Sequence, residues 1–471
     1  MKLKHIAGIA LLQSFATLSF AQINLPSVFT DHMVLQQNSE ATIWGWGNAS
    51  ETVRIVGSWN TADTIAVKVD NAGKWSGKLK TTAAGGPYTV EVMGSSRVKL
   101  NDVMLGEVWL CSGQSNMEWS HNLDVFNKEE EIAAANHPNL RIFHIPKRGD
   151  AYPQNDCTAQ WEVSTPESMR RTSAVGYFFG RELMEQLDVP VGIIVSAWGG
   201  TPAEVWTPAP LIEANKTLRE AKINPTPWWP EQPGALYNQM INPVVPYKLA
   251  GSIWYQGESN HENASSYGLL MKTMIDGWRS AFDTDFPFYF VQIAPFAYNS
   301  KANTPALLRE QQELVAKEVP NTGMVVVSDL VDDIKNIHPK NKLDVGKRLA
   351  NMAMAKTYNK PVVAIESPLF ESASFKGNKA YISFANLKDG LVMNGKKAEA
   401  LSIAGEDGKF YPANAKIENG TLVVWAKDVK KPVAVHYMFD DSSIGNLFSK
   451  EGLPVAPFRT EVVLTPTSAG W

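Results

Sequence analysis

The chain has 471 residues, a formal net charge of -4 and 44% hydrophobic residues. That length predicts two or three domains, and that hydrophobic content is enough for a sizeable core. The mildly acidic balance, without a basic run, argues against a nucleic-acid-binding protein.

The first 21 residues have the features of an export signal. Lys2 and Lys4 precede an apolar stretch, and Ser19 and Ala21 place small residues where a signal peptidase reads. The stretch is too short and too interrupted by polar residues to span a membrane comfortably, and no later segment approaches a spanning length. We therefore expect cleavage after Ala21, a mature chain without membrane insertion, and a location in the periplasm or outside the cell.

Residues 22–104 alternate apolar and polar side chains with a period of two, for example at 64–69 and 88–92, and turn residues separate these runs. This pattern predicts a β-sandwich-like domain.

From 105 to 360, short apolar runs alternate with amphipathic helical stripes. The runs are 108–111, 140–143, 191–195, 251–255, 288–291 and 324–327. Such alternation predicts an α/β domain in three layers, with a parallel sheet covered by helices on both faces. After 361 the pattern returns to period-two runs separated by turn dipeptides, which predicts a C-terminal β domain over 361–471. We expect both flanking β domains to brace the core, although glycan binding is the alternative.

The two cysteines, Cys111 and Cys157, could pair if the chain is exported. Cys111 ends an apolar run, where a buried free thiol is equally compatible with the sequence.

The first candidate site follows the apolar run at 108–111. Ser115 lies on a glycine-containing turn directly after that run, and ligands of open parallel sheets bind beyond the carboxyl ends of the strands. A serine there could attack a substrate, with backbone N–H groups near it to hold a developing oxyanion. The alternative is that Ser115 caps the next helix.

Two further loops follow strands in the same way. The run at 191–195 leads into Gly199 and Gly200, and the run at 251–255 leads into Gln256 and Asn260. Paired glycines allow a backbone N–H to approach a ligand closely, and a side-chain amide could donate to the same oxyanion. Either loop could also be an ordinary turn between strand and helix.

His338 lies late in the chain, between the last predicted strand and the last helix. Histidine is the usual base for a serine, because its pKa lies near neutrality. Asp329, Asp332 and Asp333 precede it.

Together these four segments resemble the conserved blocks of the SGNH hydrolases, and more narrowly those of the sialate O-acetylesterase family and its acetylxylan-esterase relatives. The resemblance is carried by VWLCSGQSNM at 108–117, WGGT at 198–201, WYQGESN at 254–260, and HP at 338–339 with VGKRLA at 345–350. It implies Ser115 as nucleophile and His338 as base. It also implies an oxyanion hole formed by the Ser115 N–H, a glycine N–H (Gly200 rather than Gly199), and the amide of Asn260 or Gln256.

The sequence departs from the wider superfamily at two positions. Gln114 stands where the wider superfamily has aspartate, and glutamine at this position is usual in the carbohydrate branch. We expect Gln114 and Glu258 to contact substrate. Lys335 stands where the superfamily often has its catalytic aspartate. The partner of His338 is therefore open: Asp333 is the nearest acid, and Asp332, Glu258 or a backbone carbonyl are the alternatives.

The resemblance implies an esterase that removes acetyl groups from an O-acetylated carbohydrate through an acyl-enzyme, most directly from sialic acids. An acetylxylan esterase and a non-catalytic glycan-binding protein are the alternatives. We expect no metal and no cofactor, since the sequence has neither metal-ligand spacing of histidines nor a nucleotide-binding fingerprint in a fitting context.

Overall fold

The computed structural model describes residues 22–221, 223, 227–300 and 302–461. The export signal predicted at 1–21 lies outside these residues. Across the described ranges, no helix is long and apolar enough to cross a membrane.

Between residues 105 and 360, strands and helices alternate along the chain, as the apolar runs and helical stripes predicted. The strands are β1 (Val34–Gln36), β2 (Glu40–Trp46), β3 (Thr52–Gly57), β4 (Ile65–Lys68), β5 (Lys74–Lys80), β6 (Gly85–Met93), β7 (Arg97–Gly113), β8 (His137–His144), β9 (Trp161–Ser164), β10 (Val191–Ala197), β11 (Gly251–Tyr255), β12 (Phe288–Val291), β13 (Thr322–Val325), β14 (Leu369–Lys376), β15 (Lys379–Ala385), β16 (Leu391–Met393), β17 (Leu401–Gly405), β18 (Phe410–Pro412), β19 (Asn414–Glu418), β20 (Thr421–Trp425), β21 (Pro432–Tyr437), β22 (Leu447–Ser449) and β23 (Phe458–Arg459). The α-helices are α1 (Ser115–Glu118), α2 (Lys128–Ala133), α3 (Pro166–Arg171), α4 (Ala174–Leu187), α5 (Ala209–Ala214), α6 (Lys216–Glu220), α7 (Ala264–Phe282), α8 (Thr304–Glu318) and α9 (Lys342–Lys356).

The central sheet has the strand order β13-β12-β11-β7-β10-β8-β9. Neighbouring strands from β13 to β8 are parallel, and β9 joins the edge antiparallel to β8. The protein is therefore a mixed α/β protein with a large mixed sheet, and β7 lies at its centre.

Alternate side chains of β7 enter two different hydrophobic cores. Val108 and Leu110 pack in the cluster that includes residues of α7 and α8, whereas Trp109 and Cys111 pack in the cluster that includes residues of α4 and α9. Because side chains of a strand point alternately to opposite faces, these helices cover both faces of the sheet at β7. Cys111 and Cys157 are both buried and both free.

The same strand also belongs to the N-terminal part of the chain. The first half of β7 pairs with β6 and, at Met104, Leu105 and Gly106, with β1, before its second half pairs with β10 and β11. The domain division predicted between residues 104 and 105 therefore falls within one continuous strand.

Smaller sheets complete the fold. The N-terminal part contains the antiparallel pair β2–β5, and the part after α9 contains β14-β15-β20-β19, β18-β17-β21-β23 and β16-β22. The C-terminal sheets enclose a hydrophobic cluster of their own. Ion pairing of Arg459 with Glu310 (2.7 Å) ties them to helix α8.

Candidate active site

Ser115 is presented by the end of the central strand. Gly113 has a φ of 141°, and a Cβ there would lie 2.2 Å from the carbonyl oxygen of Tyr255, so only glycine lets the two backbones approach so closely. Ser115 then begins α1 as its first residue, with Gln114 at the N-cap position. Ser115 is thus not the cap of this helix, and its hydroxyl is half-exposed and available for other contacts.

The structure brings His338 to this hydroxyl, although the two residues are 223 positions apart. The His338 Nε2 atom lies 2.9 Å from the Ser115 Oγ atom. The indole of Trp119 stacks on the imidazole, with ring centroids 3.9 Å apart and an interplanar angle of 20°. The contacts with Ser115 and Trp119 fix the position and plane of the ring.

The surroundings keep this imidazole neutral. Burial, with a smaller contribution from the Lys342 ammonium, lowers the pKa of His338 to about 4. At neutral pH the ring therefore has a nitrogen free to accept the proton of a hydroxyl.

The acidic residues before His338 bond elsewhere. The Asp333 carboxylate accepts from the Lys335 N–H (2.9 Å), Asp332 accepts from the Lys340 N–H (3.3 Å), and Asp329 forms a two-pronged pair with Arg348. Throughout the described ranges, no carboxylate or carbonyl accepts a hydrogen bond from the His338 Nδ1 atom. The arrangement that the structure does show is a serine–histidine pair without a third acid.

A buried polar network lies directly behind this pair, centred on Asn116. Its amide nitrogen donates to Glu258 Oε1 (2.5 Å) and to the carbonyl oxygen of Ile337 (3.0 Å), and its amide oxygen accepts from Lys342 Nζ (2.6 Å). Asn116 thereby links the serine turn to the residue that precedes His338.

Burial perturbs both charged ends of this network. It raises the pKa of the Glu258 carboxyl and lowers the pKa of the Lys342 amine to about 7, and the attraction between the two groups opposes both shifts. The second carboxyl oxygen of Glu258 is buried without a hydrogen-bond partner in the described structure.

Gln114 and Glu258, predicted to contact substrate, are both buried. The Gln114 amide oxygen accepts from the backbone N–H groups of Gly257 (3.3 Å) and Ser259 (3.2 Å), and only 2% of Gln114 is exposed. In this state of the protein Gln114 joins two loops of the site, while Glu258 binds Asn116.

The glycine pair after β10 offers one free backbone donor. A Cβ on Gly199 would lie 3.2 Å from the Ser115 Cβ, which places this loop directly against the serine. The Gly199 N–H donates to Glu118 (2.5 Å), whereas the N–H groups of Gly200 and Ser115 have no acceptor among the described residues. Gly200 also has a φ of 77°, which favours glycine.

The two candidate side-chain amides after β11 differ in how many of their amide hydrogens already form hydrogen bonds. Gln256 uses both amide hydrogens, toward the Thr201 carbonyl oxygen (3.2 Å) and Asn260 Oδ1 (2.6 Å). Asn260 donates one amide hydrogen to Glu204 (2.8 Å), and its second has no acceptor within the part of the chain that the structure describes. Asn260 therefore retains a donor for a ligand, and Gln256 does not.

Three residues of this site received no role from the sequence: Trp119, Asn116 and Lys342. Trp119 follows Ser115 by four positions across the single turn of α1, so helical spacing was an available signal for it. Lys342 is the first residue of α9 and His338 lies before that helix, so no such spacing pointed to Lys342. Among the described residues, no cluster of three or more His, Cys, Asp or Glu side chains could hold a metal ion.

Comparisons with known proteins show which family this chain belongs to. The family model described as carbohydrate esterase, sialic acid-specific acetylesterase, matches residues 105–355. The human sialate O-acetylesterase is 31% identical over 397 residues, covering 76% of this chain and 75% of its own, and that of Pongo abelii is 30% identical over 397 residues with the same coverage. The crystal structure of a carbohydrate acetylesterase from Xanthomonas citri matches with a TM-score of 0.86 and 36% identity, covering 94% of this chain and 100% of that chain.

Proposed function

Because this chain belongs to the family of sialic acid-specific carbohydrate acetylesterases, we propose that it hydrolyses O-acetyl esters of sialic acids through an acetyl-enzyme formed on Ser115. The observation that carries this proposal is the 2.9 Å contact between Ser115 Oγ and His338 Nε2. We further propose that residues 105–360 form the three-layer core of an SGNH hydrolase and that the β domains on either side brace it.

The reaction begins when neutral His338 takes the proton of Ser115 and the Ser115 oxygen attacks the acetyl carbonyl carbon. The carbonyl oxygen then becomes an oxyanion. The unpaired N–H groups of Ser115 and Gly200, together with the second amide hydrogen of Asn260, are the donors suited to hold it.

His338 next gives its proton to the sugar oxygen, the ester bond breaks and the deacetylated sugar leaves. In the second half, His338 takes a proton from water, and the resulting hydroxide attacks the acetyl-Ser115 carbonyl. Acetic acid leaves and ionises to acetate in solution, and the His338 proton returns to the Ser115 oxygen. The same ring nitrogen carries the proton transferred in each half.

Positioning of His338 in this mechanism does not require an acid. Trp119 holds the plane of the ring by stacking, and Asn116 holds the backbone before it through the carbonyl oxygen of Ile337. We propose a serine–histidine dyad in which these two residues do the positioning that an aspartate does in a triad.

The substrate is tested by measuring acetate release from O-acetylated sialic acid and from acetylated xylan under identical conditions. We expect kcat/KM to be at least tenfold higher on the sialic acid. A preference for xylan would replace the sialate assignment with an acetylxylan esterase, and acetate release from neither would contradict the enzyme proposal.

N-terminal sequencing of the protein from its native host tests export, which we propose on the signal at 1–21, and a first residue of Gln22 is expected.

A further inference from the structure

A cleft of about 480 Å³ lies between the antiparallel strand pair β2–β5 and the chain segment that leads into β11. Its lining includes Trp44 and Trp46, the charged residues Lys68, Asp70 and Lys74, and Pro246 on the facing wall. The Asp70 carboxylate already accepts from the backbone N–H groups of Ala72 and Lys74. Its volume is within the range of small-molecule sites. None of its lining residues belongs to the site around Ser115.

The β2–β5 pair presents two tryptophans to this cleft. In the register of β2 and β5, Trp44 pairs with Ser76 and Trp46 with Lys74, while the alternate residues Ile43 and Trp75 are buried. Because side chains alternate between the faces of a strand, both half-buried tryptophans and Lys74 lie on the same face.

The Trp44 indole is held in place by neighbouring aromatic rings. The ring of Phe29 packs edge-on against Trp44 at 4.6 Å, and Tyr247 contacts the same indole at 6.5 Å between ring centroids. The Tyr247 hydroxyl is itself anchored, since it donates to the carbonyl oxygen of Val34 (2.6 Å). A ligand would therefore bind without first having to order the Trp44 ring.

The cleft also contains donors and charges that the protein does not use. Over the described ranges, the indole N–H groups of the half-buried Trp44 and Trp46 have no acceptor. A ligand oxygen could accept from either of them. Lys68 and Lys74 are exposed and have no ion-pair partner in the same ranges.

We propose that this cleft is a second glycan-binding site, which takes a sugar residue bearing a carboxylate. The indole faces suit the apolar face of a pyranose ring, the indole N–H groups suit its hydroxyl oxygens, and the two unpaired lysines suit the carboxylate. The sugar class rests on the proposed function, because sialic acids carry a carboxylate; the binding itself does not involve Ser115.

The experiment uses the full chain carrying Ser115→Ala, with 3′-sialyllactose and lactose as probes in isothermal titration calorimetry. We expect saturable binding of sialyllactose. Adding Trp46→Ala should weaken that binding at least tenfold, and adding Lys74→Ala should weaken it severalfold, toward the affinity for lactose. Lys78→Ala is the matched control, since Lys78 lies on the same strand and face but outside the cleft, and it should leave the affinity unchanged.

Two results would overturn the proposal. One is sialyllactose binding that Trp46→Ala leaves intact; the other is lactose binding as tight as that of sialyllactose together with no effect of Lys74→Ala. The same variants should keep the melting temperature of the parent, which shows that they fold. Failure of the esterase proposal would show in acetate release alone, so the two proposals fail separately.

Discussion

The Ser115–His338 pair and the loop at Gln256–Asn260 lie in the same site but use their hydrogen-bonding groups in opposite ways. Among the described residues, the ring of His338 makes a hydrogen bond only to the serine, and it is otherwise held by the stacked indole of Trp119. The loop is tied into a buried network in which Gln256 uses both of its amide hydrogens. Groups that must exchange protons keep unused hydrogen-bonding atoms, while the groups around them use their hydrogen bonds to hold the shape of the site.

The largest expected effect comes from removing the nucleophile. Ser115→Ala should lower kcat for acetate release by roughly a thousandfold or more, because no acetyl-enzyme can form. The melting temperature should stay close to that of the parent, since this hydroxyl is half-exposed. Near-parental turnover in the purified variant would move the nucleophile elsewhere, with the buried Ser112 as the next candidate.

Variants of the loop at Gln256–Asn260 should separate effects on catalysis from effects on stability. Asn260→Ala should lower kcat by about a hundred- to a thousandfold, with a smaller change in KM, because it removes an oxyanion donor. Gln256→Ala should mainly lower the melting temperature, because it removes the buried hydrogen bonds of the Gln256 amide with Thr201, Asn260 and Tyr267.

Steady-state kinetics and thermal denaturation of both variants check this contrast. An equal loss of kcat in the two variants would mean that the loop acts as a structural unit and that only backbone groups stabilise the oxyanion.

Lys342 offers a test through pH. Its ammonium helps to lower the pKa of His338, so Lys342→Met should raise that pKa and move the acid limb of kcat/KM from about pH 4 to higher pH. The sign follows because a raised pKa leaves more of the imidazole protonated, and therefore inactive as a base, at a given acidic pH. We also expect kcat to fall about tenfold, since Asn116 loses its donor.

Lys347→Met is the matched control for this experiment, because Lys347 lies on the same helix but is exposed. An acid limb that does not move in Lys342→Met would show that the lysine does not influence the base.

The smallest effect is expected at the predicted third member of the triad. Asp333→Asn should keep kcat within about tenfold of the parent, because the Asp333 carboxylate bonds to Lys335 rather than to His338. A loss of several orders of magnitude would restore Asp333 as the partner of the base and contradict the dyad. Asp332→Asn, measured beside it, tests the other acid of this stretch.

The sequence predicted which residues form this site better than it predicted the hydrogen bonds between them. Apolar runs and turn residues placed Ser115, Gly200 and Asn260 after strands, because strand ends are specified by short-range patterns. The strand predicted from the apolar run at 324–327 ends at Val325 in the structure, and residues 326–327 lie in a loop.

The links between these loops could not be predicted in the same way. Asn116 lies 142 positions from Glu258 and 226 from Lys342, and only the folded chain brings these side chains together. The choice between Asn260 and Gln256 likewise depends on which amide hydrogens the surrounding loops already occupy. The sequence left open the partner of His338 for the same reason, since spacing alone does not show where the nearby carboxylates point.

Strand β7 has a consequence for how the molecule unfolds. Its 17 residues span roughly 55 Å, run through the N-terminal sheet and the central sheet, and end at the turn that carries Ser115. Local opening of the N-terminal sheet would therefore pull on the same backbone that aligns the nucleophile. We expect the amide hydrogens of both halves of β7 to exchange with solvent in a single cooperative event, so that the N-terminal region and the catalytic sheet behave as one unit of stability rather than as two.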